Sequence, residues 1–178
     1  DADSARACRN VSTELGWAGL AGGVTGMAGM LVQSSGSPEL QDEVLLGFAR
    51  GDFTSCLGFT EPSGGSDVFA AKTRATQDGN DWRIDGSKMF TSGANMADYV
   101  LMLTRTDPDS AKHRGLTMFI VPLKAEGVEI QPVYTFQDER TNITYYDGVR
   151  IPDTWRLGEV NGGAKVMAAS LEMEHGAS

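Results

Sequence analysis

The pattern of apolar and polar positions changes near residue 52, from helical spacing before it to strand-like alternation after it. Ser37 and Pro38 match the N-cap and first position of a helix. We expect this helix to run to about Ala49 and to end at Gly51. The apolar residues that recur at helical spacing within it, and that we expect to be buried, are Leu40, Val44, Leu45 and Phe48.

Glycines divide the apolar residues that precede this helix. Leu15, Trp17 and Leu20 belong to one apolar stretch, and residues 27–32 form a second. The segment AGGVTG at residues 21–26 lies between them. Because glycine is a poor helix former, we expect helical structure to be interrupted there.

Short apolar or alternating runs, separated by turn residues, predict a β-rich region after residue 52. A polar loop is expected at 106–114 and a helix at 164–175, after Gly162 and Gly163. Strands at this spacing are typical of an antiparallel barrel or sandwich, so the fold class is α+β. The predicted strands are 53–59, 67–76, 82–86, 99–104, 116–122, 128–133 and 142–149.

The composition narrows the class of partner. The formal net charge of -9 argues against binding to nucleic acid or to an anionic membrane surface. No apolar run reaches the roughly 18 residues of a membrane span. Cys8 and Cys56 are in no metal-binding or redox spacing, which favours two reduced thiols in a cytosolic protein and no metal site.

Two segments carry candidate chemistry. In TEPSGGSD at residues 60–67, adjacent glycines follow a predicted strand, so backbone N–H groups can approach a ligand closely. In DGSKMFTSGA at residues 85–94, Phe90 is followed by Thr91 and Ser92, an aromatic face beside hydroxyl groups that suits a flat heteroaromatic ring. Taken separately, the first segment is compatible with an ordinary turn, and Phe90 with an ordinary core residue.

Five segments taken in order resemble the acyl-CoA dehydrogenase family: TEPSGGSD, DGSKMFTSGANMADY, GLTMFIVP, DGVRIP and LGEVNGG. The resemblance covers residues 51–178. It implies a remnant of an N-terminal helical domain at 1–50, a middle β-domain at 51–160, and the first helix of a C-terminal helical domain at 161–178. It also implies flavin adenine dinucleotide (FAD) bound between these domains. Because the family has more chain around residues 21–22, we expect residues to be missing from the sequence there and after Ser178.

The family's flavin contacts carry over to matching positions. The resemblance places Thr60 on the pyrimidine edge of the flavin, Phe90 against the isoalloxazine in a position that is often Trp, and Ser92 near flavin N5 in place of a Thr. Ser66 matches a residue that contacts the flavin pyrophosphate or the acyl-CoA substrate. Ser63 and Gly64 replace a commoner Gly-Ala pair, and the change keeps the loop residues small. The remaining expected flavin contacts are Leu57, Phe59, Gly65 and Thr91.

The resemblance also implies a carboxylate base. Most members supply it from a part of the C-terminal domain beyond this chain, whereas others carry it on the first helix of that domain. Glu174 falls at this second position, and a solvated helix residue is the alternative interpretation. His175 stands where the family commonly has Arg.

The implied reaction is α,β-dehydrogenation of an acyl-CoA thioester, with hydride transfer to flavin N5 and electrons passed to an electron-transfer flavoprotein. The implied assembly is a homo- or hetero-tetramer in the bacterial cytoplasm. The segment at 141–163 resembles a subgroup that handles bulky or steroid-derived acyl groups. A non-catalytic subunit of a heteromeric acyl-CoA dehydrogenase stays an alternative, as does an unrelated β-barrel binding module.

Overall fold

The computed structural model describes residues 20–65, 67–136 and 140–175, except for the side chains of residues 20–22 and 170–175. These ranges contain both helices and a large sheet, which confirms the α+β class. The helices are α1 (Leu20–Ser35), α2 (Pro38–Arg50) and α3 (Gly163–His175), and short 3-10 helices occur at Val68–Ala70 and Asp153–Trp155. The strands are β1 (Ser55–Gly58), β2 (Arg74–Asp78), β3 (Asp81–Lys88), β4 (Tyr99–Arg105), β5 (Leu116–Pro122), β6 (Val128–Tyr134), β7 (Arg140–Pro152) and β8 (Arg156–Leu157).

Helix α2 begins and ends where its sequence predicts. The Ser37 hydroxyl accepts a hydrogen bond from the Leu40 amide at 3.1 Å, which satisfies one of the free N–H groups of the first turn. Gly51 closes the helix with a φ of 79°, a left-handed conformation that glycine adopts without strain. Leu40, Val44 and Phe48 are buried, as expected, and Leu45 is half-buried against the same core.

Helix α1 corrects the predicted interruption at residues 21–26, because it runs through this segment without a break. Each glycine weakens a helix by about 1 kcal/mol relative to alanine. Tertiary packing outweighs that penalty, since Ala28, Leu31 and Val32 are completely buried. The buried hydroxyl of Thr25 also accepts a hydrogen bond from the Ser55 amide at 3.0 Å, which ties the helix to β1. The apolar residues 15–18 lie outside the described residues.

The described strands form one open sheet in the order β6-β7-β3-β2-β4-β5-β8, with β1 paired to β4. The sheet is not closed, so the barrel alternative is wrong. Most pairs are antiparallel, but β1 runs parallel to β4, with Ser55 opposite Tyr99, and a single parallel pair joins β2 to β4. The strand expected at 67–76 is divided, because a 3-10 helix occupies its first part and β2 begins only at Arg74.

Strands β4 and β5 lie between two apolar cores, and their alternate residues enter different cores. Leu101 and Leu103 face the core that the three helices cover. Val100 and Met102 face a second core, where β3 and β7 pack over β4 and β5. The indole of Trp82 on β3 lies 5.5 Å, centre to centre, from the ring of Phe119 on β5 within this second core. Strands β4 and β5 are therefore buried on both faces. Among the described helices, none has both the length and the apolar character needed to cross a bilayer.

Candidate functional site

The two segments singled out in the sequence meet in space. Residues 59–61 follow β1, and residues 89–92 follow β3, although these two strands are not neighbours in the sheet. The carbonyl oxygen of Thr60 accepts a hydrogen bond of 2.8 Å from the amide of Met89. The glycine-rich loop and the aromatic turn are therefore joined directly by their backbones.

Phe90 lies in a strained turn that presents its ring to solvent. Its φ is 57°, which is uncommon for a residue with a side chain and costs about 1–3 kcal/mol. The turn is closed by a hydrogen bond of 2.9 Å from the Ser92 amide to the Phe90 carbonyl oxygen. Phe90 is 56% exposed, so it is not the core residue that its type alone favours.

Asn142 on β7 fixes this turn, although its sequence context did not predict it as a site residue. Its carbonyl oxygen accepts a hydrogen bond from the Thr91 amide at 2.9 Å, and its side-chain amide donates to the Thr91 carbonyl oxygen at 3.0 Å. Its side chain also donates to Asn95 at 3.1 Å. Asn142 is completely buried, and a buried amide with these partners fixes the backbone around Phe90.

The two hydroxyl residues after Phe90 have different environments. Thr91 is completely buried, and its hydroxyl lies 3.4 Å from that of Thr144. Ser92 is exposed, and its hydroxyl lies 3.1 Å from that of Thr141. Of the two hydroxyl groups, that of Ser92 is therefore the one open to a ligand.

The glycine-rich loop borders a shallow surface depression. A turn through Pro62 and Ser63 is closed by a hydrogen bond of 3.0 Å from the Gly64 amide to the Glu61 carbonyl oxygen. A side chain at Gly65 would meet no atom within 4 Å, so this side of the loop is open. The residues that line the depression are Phe59, Thr60, Glu61, Gly64, Gly65, Asp67, Val68, Ala70 and Ala71.

A buried ion pair lies beneath the junction of the two segments. The Lys88 ammonium is 2.9 Å from Oε1 of Glu61, and the two side chains are 0% and 5% exposed. Burial lowers the pKa of Lys88 below its usual range, although Glu61 opposes this shift. Burial alone would raise the pKa of Glu61, but the Lys88 charge and the hydrogen bonds to the carboxylate outweigh it and hold this pKa below its usual range.

One sequence signal could have revealed this pair. Along β3 the buried residues Trp82, Ile84 and Lys88 share the even-numbered positions, so the alternation places a lysine on the inward face. A charged residue at an inward position requires a partner.

The family of the chain follows from a profile of the acyl-CoA dehydrogenase middle domain, which matches residues 56–146, about half of the chain. This match includes both segments that meet at Thr60 and Met89. The chain belongs to the acyl-CoA dehydrogenase family.

Individual acyl-CoA dehydrogenases agree with this assignment. Acyl-CoA dehydrogenase FadE26 of Mycobacterium tuberculosis is 39% identical over 146 residues, which are 80% of this chain and 36% of that protein. The solved structure of the Tcur3481-Tcur3483 steroid ACAD (acyl-CoA dehydrogenase) has a TM-score of 0.80 and 42% identity, over 83% of this chain and 38% of that chain. A glutaryl-CoA dehydrogenase of Mycobacterium smegmatis in complex with FADH2 has a TM-score of 0.72 and 29% identity, over 84% of this chain and 38% of that chain. The chain thus spans less than half the length of these acyl-CoA dehydrogenases.

The remaining site predictions of the family resemblance have different outcomes in the structure. Leu57 and Phe59 are half-buried and pack against the core beneath the helices. Ser66 lies outside the described residues. Glu174 lies in α3, but its side chain is outside the described part of the chain.

The residues around the junction suit a flavin. The exposed Phe90, the hydroxyl of the exposed Ser92 and the open glycine-rich turn together offer a stacking face, a hydrogen-bond donor and backbone amides. In the parts of the chain that the structure describes, no cluster of His, Cys, Asp or Glu is suited to a metal ion.

Proposed function

We propose that the protein of which this chain forms a part is an FAD-dependent dehydrogenase that oxidises the α,β-bond of an acyl-CoA thioester. The observation that carries this proposal is the hydrogen bond between Thr60 and Met89, because it joins the two segments that the family uses for flavin. Family membership of the chain supports the same conclusion. We also propose the domain boundaries implied above, with a helical remnant at 1–50, a β-domain at 51–160 and a first C-terminal helix at 161–178.

FAD supplies a two-electron acceptor when it is bound, and the chain's own residues bind and orient it. In this proposal Phe90 stacks on the flavin ring, Thr60 bonds its pyrimidine edge and Ser92 donates near N5. Thr91 holds the turn through both of its backbone groups. Leu57, Phe59, Gly65 and Ser66 complete the contacts, and Ser66 also contacts the pyrophosphate or the acyl-CoA substrate.

A carboxylate must remove the α-proton from the thioester, and we propose Glu174 for this role. Helix α3 is where family members with the alternative base position carry that residue, and the chain continues this helix to His175. The electrons then pass to an electron-transfer flavoprotein. We place the enzyme in the bacterial cytoplasm as a homo- or hetero-tetramer.

A bulky or steroid-derived acyl group is the substrate class that we favour. The similar structure that covers 83% of this chain is that of a steroid ACAD, and the segment at 141–163 resembles the same subgroup. That structure is named for two proteins, Tcur3481 and Tcur3483. This pairing favours a second candidate function, in which the chain belongs to a subunit that shapes a partner's active site without holding flavin itself.

The visible spectrum of the purified full-length protein tests the proposal. We expect flavin absorption bands that bleach when a steroid-derived acyl-CoA is added without oxygen. A short-chain acyl-CoA serves as the comparison, and we expect it to bleach the bands more slowly. A colourless protein that gains flavin bands only when a partner subunit is added supports the second candidate. A protein that stays colourless with FAD and with candidate partners contradicts both.

A further inference from the structure

Lys88 is a completely buried cation with three hydrogen-bond acceptors. Its ammonium group donates to the Phe59 carbonyl oxygen at 3.4 Å, to Oε1 of Glu61 at 2.9 Å and to the Leu103 carbonyl oxygen at 2.6 Å. An ammonium group has three N–H donors, so this geometry satisfies all of them. The ammonium is enclosed on all sides and therefore contacts protein groups rather than a ligand.

Glu61 is equally well satisfied on the other side of the pair. Its Oε1 accepts a hydrogen bond from the Thr73 amide at 2.9 Å, in addition to that from Lys88. Its Oε2 accepts one from the Lys72 amide at 2.7 Å. The carboxylate thus fastens the glycine-rich loop to the segment that leads into β2.

The ion pair bridges the two segments of the proposed flavin site. Lys88 is the last residue of β3 and directly precedes Met89, whereas Phe59 and Glu61 flank Thr60 in the chain. The contacts of Lys88 therefore lie on both sides of the hydrogen bond between Thr60 and Met89. The Lys88 ammonium thus connects the end of β3 to the residues on either side of Thr60.

We propose that Glu61 and Lys88 are positioning residues that set the spacing of the glycine-rich loop and the aromatic turn on the flavin. The inference rests on the proposed function, because it assumes that both segments contact one flavin. Neither side chain needs to touch the flavin itself.

Stability alone does not account for a charged pair at this place. Removing two charges from water costs free energy, and apolar replacements of buried ion pairs in other proteins are often neutral or stabilising. What an apolar pair cannot supply is a set of directed hydrogen bonds to the Phe59 carbonyl oxygen and to the amides of Lys72 and Thr73. The pair therefore fixes the orientation and spacing of the glycine-rich loop relative to the aromatic turn, which an apolar contact would leave unspecified.

The test compares three variants of the full-length protein, with FAD affinity and unfolding free energy measured for each. Lys88→Met removes the ammonium and leaves Glu61 buried without its cation. The double variant Glu61→Gln/Lys88→Met removes both charges and keeps the shapes similar. Val149→Ala is the matched control, because Val149 is a completely buried residue of the second core, away from the pair. Titration of FAD into the flavin-free protein gives the FAD affinity. Hydrogen exchange at the Met89 amide, measured without flavin, reports how stable its hydrogen bond to Thr60 is.

We expect stability and flavin affinity to separate. Lys88→Met lowers both, whereas the double variant regains most of the stability but still binds FAD on the order of tenfold more weakly than the wild type. The Met89 amide exchanges faster in both variants. Val149→Ala loses stability through a cavity but keeps the wild-type FAD affinity and Met89 exchange.

Two results overturn the inference in different ways. If the wild type binds FAD and the folded double variant binds it equally well, with unchanged Met89 exchange, the pair has no positioning role and the proposed function stands. If the wild type binds no FAD under any condition, including with a partner subunit, the proposed function fails and the inference fails with it.

Discussion

The carbonyl oxygen of Thr60 lies 2.8 Å from the amide nitrogen of Met89, and this hydrogen bond connects the ends of two strands that do not pair with each other. Everything proposed for the site depends on that connection. It joins the loop that contains Thr60 to the turn that contains the exposed Phe90, and we propose that one planar ligand contacts both.

Phe90 is predicted to stack on the flavin. Phe90→Ala should weaken FAD binding about tenfold, because aromatic stacking on a flat ring is worth about 1–3 kcal/mol. Phe90→Trp should preserve binding, since it keeps the aromatic face. Leu46→Ala is a suitable control, because Leu46 on α2 is also 56% exposed and should leave the affinity unchanged. Equal FAD affinity in Phe90→Ala and Leu46→Ala, measured by fluorescence titration, contradicts the stacking role.

Ser92 is predicted to act through its hydroxyl rather than through its size. Ser92→Ala should slow flavin reduction by acyl-CoA about tenfold, which corresponds to one lost hydrogen bond, while Ser92→Thr should keep the wild-type rate. Stopped-flow bleaching of the flavin bands measures this rate. The hydroxyl of Thr141, 3.1 Å away, orients that of Ser92, so Thr141→Val should give part of the same loss. A wild-type rate in Ser92→Ala excludes the hydroxyl from the reaction.

Ser37 is predicted to contribute to the stability of the fold without affecting FAD affinity. Its hydroxyl caps α2 through the Leu40 amide and donates to the Thr154 carbonyl oxygen at 2.9 Å. Ser37→Ala should therefore lower the free energy of unfolding by about 1–2 kcal/mol. Ser34→Ala is the control, because that exposed hydroxyl bonds within its own helix and its loss should cost less. Urea unfolding compares the two variants. Equal losses of unfolding free energy would contradict the stabilising role of the Ser37 cap.

The sequence predicted the elements that local chemistry determines. The bounds of α2 follow from Ser37, Pro38 and Gly51, which act within one turn of the helix ends. The continuity of α1 was not predictable, because it depends on packing against β1 and α2 rather than on its glycines. The parallel pairing of β1 with β4 joins residues more than 40 positions apart, and no local pattern specifies such a register.

The sequence predicted the segments of the candidate site that face a ligand, but not the buried residues that hold those segments in place. The segments around Thr60 and Phe90 carry a recognisable family pattern. Asn142 and Lys88, which hold those segments in place, act on distant parts of the chain. Their partners become visible only once the sheet is folded, although the inward position of Lys88 on β3 was a usable signal.

The ion pair should make stability depend on pH in a defined direction. Burial raises the pKa of Glu61, but the Lys88 charge and the hydrogen bonds from Lys88, Thr73 and Lys72 outweigh it, so the folded-state pKa lies below the ordinary value of 4.5. A carboxyl group of this kind stabilises the fold above its ordinary pKa, and the contribution is lost as the pH falls through the folded-state pKa.

Comparison with Glu61→Gln isolates this contribution. Asp67, Asp107 and Asp153 also have lowered pKa values, so acid weakens the wild type through several groups. The difference in unfolding free energy between the wild type and Glu61→Gln should be constant above about pH 5.5 and should shrink below about pH 4.5. Urea unfolding between pH 3 and pH 7 measures it. A difference that stays constant down to pH 3 contradicts the assignment.

A crystal structure of the full-length protein with FAD is the decisive test of a flavin site shared by the two segments. We expect one isoalloxazine ring to stack on Phe90 while Thr60 and Ser92 lie within hydrogen-bond distance of it. A flavin bound elsewhere, or one that touches only one of the two segments, would show that the shared site is wrong.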